Sequence, residues 1–120
     1  MRDLGTNYYT VRNRPTMDRP IHIGKASIGW MFNFQSQNDP YHTPPVVWNT
    51  YEQVTSWLYK HTVLDRDYVI MNEYDEVVNY DELIDLIAWK QNDEGCKSNK
   101  DNFSYARNVN GYRFTDSDFS

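Results

Sequence analysis

The sequence predicts an α+β fold, in which two helices pack on one face of a small antiparallel sheet. Strand-like segments rich in β-branched and aromatic residues fill the first third of the chain, and two segments with helix-capping residues follow them. Another strand-like segment stands near the end. With 120 residues the chain has the length of one domain, so we treat 1–120 as a single folding unit.

The N-terminal third is predicted to be a β-meander. Residues 6–12, TNYYTVR, have the composition of a strand. We then expect a short strand over 21–24, a turn over 25–27 and a longer strand over 28–35. Because strand side chains alternate, that last strand places four large apolar residues on one face: Ile28, Trp30, Phe32 and Phe34.

The middle of the chain predicts two helices separated by a hairpin. The three prolines of 36–45 exclude regular structure there. Thr50 is the expected N-cap of the first helix, with Gln53 at capping-box spacing. A hairpin turning at 72–75 precedes a second helix that starts at Asn79. The expected buried faces are Tyr51, Val54, Leu58 and His61 on the first helix, and Leu83, Ile84, Ile87 and Ala88 on the second.

The end of the chain predicts a loop followed by a strand. Residues 92–102 are polar and indicate a loop, and 111–119 carry three aromatic residues typical of a strand that returns to the sheet. The single Cys96 excludes an internal disulfide framework and favours a reducing, cytoplasmic setting. We find no apolar run long enough for a bilayer and therefore expect no membrane contact.

Charge disfavours binding to polymeric nucleic acid. The net charge is −5, whereas such binding depends on many Lys and Arg side chains. The charge is uneven, however, because residues 1–30 carry +3 and the remainder carries −8. A local basic patch suits a small anion; the alternative is an ordinary solvated surface.

No residue set predicts catalysis, a metal or a cofactor. The carboxylate pairs are typical of a solvated surface, and Cys96 stands in a polar segment without a positioned histidine motif. The separation of His42 from His61 fits no short metal-binding motif, so we expect structural roles for both. We therefore predict that the protein is not an enzyme.

The stretch RPIHIGKASIGWMF, residues 19–32, combines side chains that suit a nucleotide. Its His, Lys and Ser side chains can contact phosphate, and its Trp, with the two tyrosines of TNYYTVR, can stack on a base. The alternative is that Trp30 belongs to the core, Lys25 to an exposed turn and His22 to the surface. The order of a phosphate-binding P-loop is absent.

Four segments together resemble a family of small phage-encoded proteins. They are GTNYY (5–9), HIGKASIGWMF (22–32), NEYDEVV (72–78) and GYRFTDSDFS (111–120). The family carries GTNYY, an HIGKSSxGWxF segment and an ending close to GYxFxxxxFS. Many members also have a Cys-x-x-Cys pair between the first two blocks, which this chain lacks, so zinc is not carried over.

The resemblance implies a function in immune evasion. It points to viral sponge proteins that sequester cyclic nucleotide signals, as in inhibition of cyclic-oligonucleotide-based (CBASS) defence, without cleaving them. Such proteins are homo-oligomers, and we expect a tetramer in the infected bacterial cytoplasm. The ligand-binding residues implied are Asn7, Tyr8, Tyr9, His22, Lys25, Ser27 and Trp30, with Arg12, Arg14 and Arg19 as further phosphate partners.

A second class of function is open from the same sequence. The acidic remainder of the chain is typical of a DNA-mimicking phage inhibitor that binds a host defence or nucleic-acid enzyme. That hypothesis assigns the activity to the acidic face around Asp81, Glu82 and Asp85. A nuclease that degrades the nucleotide is a third alternative, but no acid–base pair supports it.

Overall fold

A mostly antiparallel sheet backed by two helices confirms the predicted α+β fold class. The structure is a computed structural model and describes residues 5–15, 19–27, 31–42, 45–91 and 106–116. The strands are β1 Gly5–Arg12, β2 Ile21–Ser27, β3 Asn33–Gln35, β4 Gln37–Asp39, β5 Val46–Trp48, β6 Tyr68–Asn72, β7 Val77–Val78, β8 Ala106–Val109 and β9 Tyr112–Thr115. The helices are α1 Tyr51–Leu58, which continues as a π-helical segment Tyr59–Leu64, and α2 Tyr80–Lys90.

Within the described ranges, seven strands form one sheet and two form another. The order in the larger sheet is β7-β6-β1-β2-β3-β9-β8, and β4 pairs with β5 in the smaller one. Every pairing is antiparallel except that of β3 with β9, which is parallel. The C-terminal strand therefore returns to the sheet as predicted and lies beside β3.

The predicted turn over 25–27 is wrong, because β2 continues as a strand through Ser27. Gly24 lies within that strand, opposite Tyr8 of β1 and Phe34 of β3. A side chain at Gly24 would collide with the backbone oxygen of Asn33 and with the ring of Phe32. Glycine is needed here for the close approach of a neighbouring strand, and not for a turn.

The segment 36–45 is more ordered than its prolines indicated. β4 forms over Gln37–Asp39 and pairs with β5, with Gln37 opposite Trp48. The prediction of no regular structure fails for this strand, since none of its three residues is a proline.

The N-caps of both helices are confirmed. The Thr50 hydroxyl accepts a hydrogen bond from the Gln53 amide at 3.1 Å, and the Gln53 side chain accepts one from the amide of Asn49. The Asn79 side chain accepts from the Glu82 amide at 2.9 Å, while the Glu82 carboxylate accepts from the Asn79 amide at 3.0 Å. These bonds satisfy amides that the first helical turn leaves without a helical partner.

The helices bury nearly the predicted faces. Val54, Leu58 and His61 are buried along α1 and its π-helical continuation. On α2, Leu83 and Ile87 are buried, whereas Ile84 is half-buried and Ala88 is exposed. Lys90 is buried and Ala88 is not, because residues 83, 87 and 90 lie on the same face of the helix. None of the described helices has the length and apolar character that crossing a bilayer requires.

The core lies between the helices and one face of the large sheet. Its fully buried members come from both layers and include Ile23, Phe34, Ile70 and Phe114 from strands and Val54, Leu58, Leu83 and Ile87 from helices. Phe34 stacks on Phe114 across the parallel β3–β9 pair, with ring centroids 5.0 Å apart. The predicted common face of Phe32 and Phe34 is buried.

Three sequence predictions fall on residues outside the described ranges. They concern the first part of the strand over 28–35, including Trp30, the loop over 92–102 with Cys96, and the last residues of the C-terminal strand.

Candidate functional site

The first two strands bring several predicted site residues to one face of the sheet. Asn7 lies opposite Lys25, and Tyr9 lies opposite His22. A β-bulge between Tyr8 and Tyr9 shifts the register by one residue, which places His22 rather than Ile23 beside Tyr9. These four side chains point away from the helices, because their neighbours in each strand face the core.

A chain of hydrogen bonds joins this face to the β6–β7 turn. The carboxylate of Glu73 accepts from the backbone amide of Asn7 at 2.6 Å and from its side-chain nitrogen at 2.8 Å. The side-chain oxygen of Asn7 lies 2.9 Å from Nε2 of His22, and the His22 ring stacks on Tyr9 with centroids 4.8 Å apart. We call Asn7, Tyr9, His22, Lys25 and Glu73 the sheet-face cluster.

The charge on Glu73 is stabilised by its surroundings. The backbone amide of Asn7, followed by the Asn7 side chain, holds the pKa of the Glu73 carboxyl below its ordinary value, and the nearby Lys25 ammonium acts in the same direction. The carboxylate is therefore ionised at neutral pH. Asn7 is buried, so these bonds also fix its orientation.

A polar cavity of about 580 Å³ adjoins the cluster at His22. Its polar lining includes Arg19, His22, Gln35, Gln37, Asp39 and Asp116. The side chain of Gln37 donates to the backbone oxygen of His22 at 3.0 Å and so ties β4 to β2. We call this cavity the polar pocket; its volume lies within the range of small-molecule sites.

Gln35 is the most buried polar side chain of the pocket lining, with 6% of its surface exposed. Its side-chain nitrogen donates to the backbone oxygens of Thr115 and Asp116, which fixes the orientation of the amide. Among the described residues, its side-chain oxygen Oε1 is buried and accepts no hydrogen bond. A buried acceptor without a donor is costly to stability, and this oxygen is almost completely shielded from solvent.

The other predicted site residues lie apart from the cluster. Tyr8 points to the opposite face and packs on Phe32 at a centroid distance of 6.0 Å. Ser27 is half-buried at the end of β2, and its backbone oxygen accepts from the Lys90 ammonium. Trp30 lies outside the described residues.

Of the three arginines predicted as phosphate partners, one reaches the site. Arg19 is exposed and lines the polar pocket. Arg12 places its guanidinium over the ring of Tyr68, 4.9 Å from the centroid, and Arg14 is exposed in the segment after β1. Arg19 is therefore the arginine best placed to meet an anion at the site.

One other group of side chains has the composition of a metal site. Potential ligand atoms of His61, Asp65 and Asp67 lie within 4.8 Å of one another. His61 is buried, and its Nδ1 lies 3.0 Å from the Asp67 carboxylate, while Asp65 pairs with Lys60 at 2.9 Å. These pairings account for the grouping, and they fit the structural role expected for His61.

Comparison with known proteins returns no relative. No protein-family model, curated protein or solved structure matches the chain. The resemblance to phage sponge proteins therefore stays a prediction, and the geometry of the site carries the functional argument.

Sequence reasoning missed four of the polar lining residues named above. Gln35 lies in a predicted strand, Gln37 and Asp39 in a predicted loop, and Asp116 in the predicted C-terminal strand, without any role in a site. They meet because β9 lies beside β3 and β4 folds back towards β2. Local sequence patterns do not encode that long-range pairing.

Proposed function

We propose that the protein binds a cyclic nucleotide and sequesters it without cleaving it. The observation that carries the proposal is the position of His22, which belongs to the sheet-face cluster and also lines the polar pocket. One side chain thus connects an aromatic and cationic surface with a cavity of ligand size. The resemblance to sponge proteins supports the same function.

The cluster supplies the contacts that a nucleotide needs. The aromatic pair of Tyr9 and His22 offers a flat surface, and base–aromatic stacking contributes about 1–3 kcal/mol per base. Lys25, which acts on the Glu73 carboxyl, and Arg19, which lines the polar pocket, are cations that suit the phosphates. A sponge for signals at nanomolar concentration needs about −12 kcal/mol of binding free energy in total.

Preorganisation contributes to reaching that affinity. Asn7 is held by Glu73 through two hydrogen bonds, and it in turn fixes the ring of His22. A site that is ordered before binding loses less conformational entropy when the ligand arrives. We therefore expect the cluster to keep its geometry in the bound state.

Sequestration without cleavage agrees with the state of Glu73. A carboxylate with a lowered pKa holds no proton at neutral pH, so it is unsuited to protonating a leaving group. The side-chain amide of Asn7 also donates a hydrogen bond to this carboxylate. The contacts of Glu73 are those of a residue that positions its neighbours.

Calorimetric titration with a panel of cyclic di- and trinucleotides tests the proposal. We expect at least one member to bind with nanomolar Kd, and His22→Ala to weaken that binding at least tenfold, in line with the loss of one stacking contact. Lys60→Ala is the matched control, because Lys60 is exposed and pairs with Asp65. A panel without any binding member would overturn the proposal.

The homo-oligomer implied by the resemblance is part of the proposal. Several large apolar side chains are exposed in the described chain: Tyr41, Leu64, Val77 and Trp89. In such an oligomer, these side chains would be available for apolar contacts between protomers. Sedimentation velocity, with and without nucleotide, measures the oligomer, for which we expect a tetramer.

The exposed acids of α2 support the alternative function. Asp81, Glu82 and Asp85 are all exposed, as an acidic inhibitor surface requires. Glu82 also caps the helix, so its replacement would disturb the fold. The double variant Asp81→Asn, Asp85→Asn is therefore the appropriate test. If this variant no longer inhibits the bacterial defence against phage but still binds the nucleotide, a protein target is favoured.

A further inference from the structure

We infer that Tyr74 is a second stacking position beside the sheet-face cluster, so that the site takes a ligand with two bases, a dinucleotide. This inference rests on the proposed function and deepens it by assigning a further binding residue and a ligand class. Its basis is an exposed aromatic ring that the fold holds in place at the edge of the cluster.

The β6–β7 turn holds the backbone of Tyr74. The side-chain oxygen of Asn72 accepts from the amide of Tyr74 at 2.9 Å and from the amide of Glu76 at 3.1 Å. The side-chain nitrogen of Asn72 donates to the Glu76 carboxylate at 2.7 Å. Asn72 is itself buried, and its backbone oxygen accepts from the amide of Asp75. These bonds order the turn, and with it Tyr74, before any ligand arrives.

The side chain of Tyr74 is attached to the cluster. Its hydroxyl donates a hydrogen bond to the carboxylate of Glu73. The same carboxylate accepts from the backbone amide and from the side-chain nitrogen of Asn7. Although it is held at both ends, Tyr74 keeps 38% of its surface exposed. A ring ordered in this way loses little conformational entropy when a base packs on it.

The two aromatic positions, Tyr74 and the Tyr9–His22 pair, lie on opposite sides of a polar row. Tyr9 follows Asn7 by two residues in β1, which corresponds to about 6.8 Å along the strand. In the neighbouring chain segment, the amide of Glu73 donates to the backbone oxygen of Asn7. Because β6 runs antiparallel to β1, the next residue, Tyr74, lies farther from Tyr9. Asn7 and Glu73 therefore separate the two aromatic positions.

Lys25 supplies the positive charge of this polar row. It lies opposite Asn7 on β2, and β1 stands between β2 and β6, so Lys25 and Glu73 approach Asn7 from different sides. The Glu73 carboxylate is engaged by donors from Asn7 and Tyr74. The Lys25 ammonium is the group of the row that complements a phosphate. A ligand that places phosphate at Lys25 and a base on each aromatic position has two bases, whereas a mononucleotide can use only one of these positions.

Cyclic dinucleotides and cyclic mononucleotides test the ligand class in calorimetric titrations of the full chain. Cyclic di-AMP, cyclic di-GMP and the mixed cyclic GMP-AMP carry two bases, whereas cyclic AMP and cyclic GMP carry one. We expect a dinucleotide to bind at least about tenfold more tightly than a mononucleotide with the same base, because the second base adds a stacking contact. Equal affinities, or binding of a cyclic trinucleotide but of no dinucleotide, overturn the inference and leave the proposed function standing.

Two variants of Tyr74 test the residue. Tyr74→Ala removes the ring and should weaken binding of that dinucleotide about tenfold, with almost no change for the mononucleotide. Tyr74→Phe keeps the ring without the hydroxyl and should retain most of the affinity. Tyr59→Ala is the matched control, because Tyr59 is 44% exposed and belongs to the helical layer, away from the cluster. Thermal unfolding midpoints establish that each variant is folded.

The variants also separate stacking from a role in positioning Glu73. Equal losses of dinucleotide affinity in Tyr74→Phe and Tyr74→Ala would assign the effect to the hydroxyl and overturn the stacking role. Unchanged dinucleotide affinity in Tyr74→Ala overturns the inference directly, while the proposed function stands. Failure of every cyclic nucleotide to bind ends both proposals.

Discussion

Nε2 of His22 lies 2.9 Å from the side-chain oxygen of Asn7. The Asn7 side-chain nitrogen donates to Glu73, so the oxygen is the atom that faces His22, and Nε2 must carry the hydrogen. The ring of His22 is therefore fixed in tautomer as well as in orientation. This relationship makes a surface histidine of β2 into an ordered element of a binding site.

Asn7 is expected to stabilise both the fold and the site. Asn7→Ala removes the side-chain donor to Glu73 and the acceptor for His22 from a buried position, while the backbone amide still donates to Glu73. We predict a loss of about 1–3 kcal/mol in the free energy of unfolding, measured by urea denaturation, and weaker nucleotide binding. Asn38→Ala, at an exposed position of β4, is the control. Equal stabilities of the two variants would remove Asn7 from its assigned role.

Lys25 is expected to act on the ligand and not on the fold. The side chain is half-buried on the sheet face opposite Asn7, and its ammonium is close enough to Glu73 to affect the pKa of that carboxyl. We predict that Lys25→Ala weakens nucleotide binding about tenfold, as expected for one charge-assisted phosphate contact, and leaves the thermal unfolding midpoint almost unchanged. Lys60→Ala should alter neither quantity; unchanged affinity in Lys25→Ala would exclude a phosphate contact.

Protonation of Glu73 is expected to lower the stability of the fold in acid. The pKa of folded-state Glu73 is lowered by the amide of Asn7, so ionised Glu73 stabilises the native state above the ordinary pKa of about 4.5. That stability decreases as the pH falls from this value through the lower folded-state pKa. In Glu73→Gln, the free energy of unfolding should therefore change less over this pH range than in the wild type.

Glu52→Gln, at an exposed position of α1, is the control for this acid effect. Denaturation curves between about pH 2 and pH 6 span the ordinary glutamate pKa and provide the measurement. If Glu73→Gln and the wild type lose stability in parallel over that window, the Asn7–Glu73 bonds do not contribute as described.

Replacing Gly24 by alanine is expected to destabilise the fold more than replacing Gly111 by alanine. An alanine there collides with the backbone oxygen of Asn33, which a small shift of a side chain cannot relieve. We predict a loss of about 3 kcal/mol or more for Gly24→Ala, as expected for overpacking against backbone. Gly111→Ala has open space but a φ of +89°, and should cost about 1–2 kcal/mol. A smaller effect at Gly24 than at Gly111 in urea denaturation would contradict the close packing of β2 on β3.

Local signals predicted the parts of the fold that local interactions determine. Both N-caps are confirmed at Thr50 and Asn79, because a cap is decided by residues within one helical turn. The β6–β7 hairpin is confirmed for the same reason. The β8–β9 hairpin was not predicted, although Asn110 and Gly111 have the positive φ values that an Asn-Gly turn adopts.

Long-range pairing limited the prediction of the site. Sequence reasoning grouped Tyr8 with Tyr9, but strand alternation places them on opposite faces of the sheet. The structure does bring together the predicted residues Asn7, His22 and Lys25, whose strands are neighbours in the chain. Sequence reasoning missed Gln35 and Asp116, which meet only through the parallel pairing of β3 with β9.

Recovery of the bound nucleotide tests the central claim most directly. The purified protein is mixed with a panel of cyclic di- and trinucleotides, free ligand is removed, the protein is denatured by heat, and the released material is chromatographed. We predict that the wild type depletes one cyclic nucleotide and then releases it intact in stoichiometric amount, and that His22→Ala releases a smaller amount. Release of a degraded product would identify an enzyme, and depletion of no nucleotide would contradict sequestration.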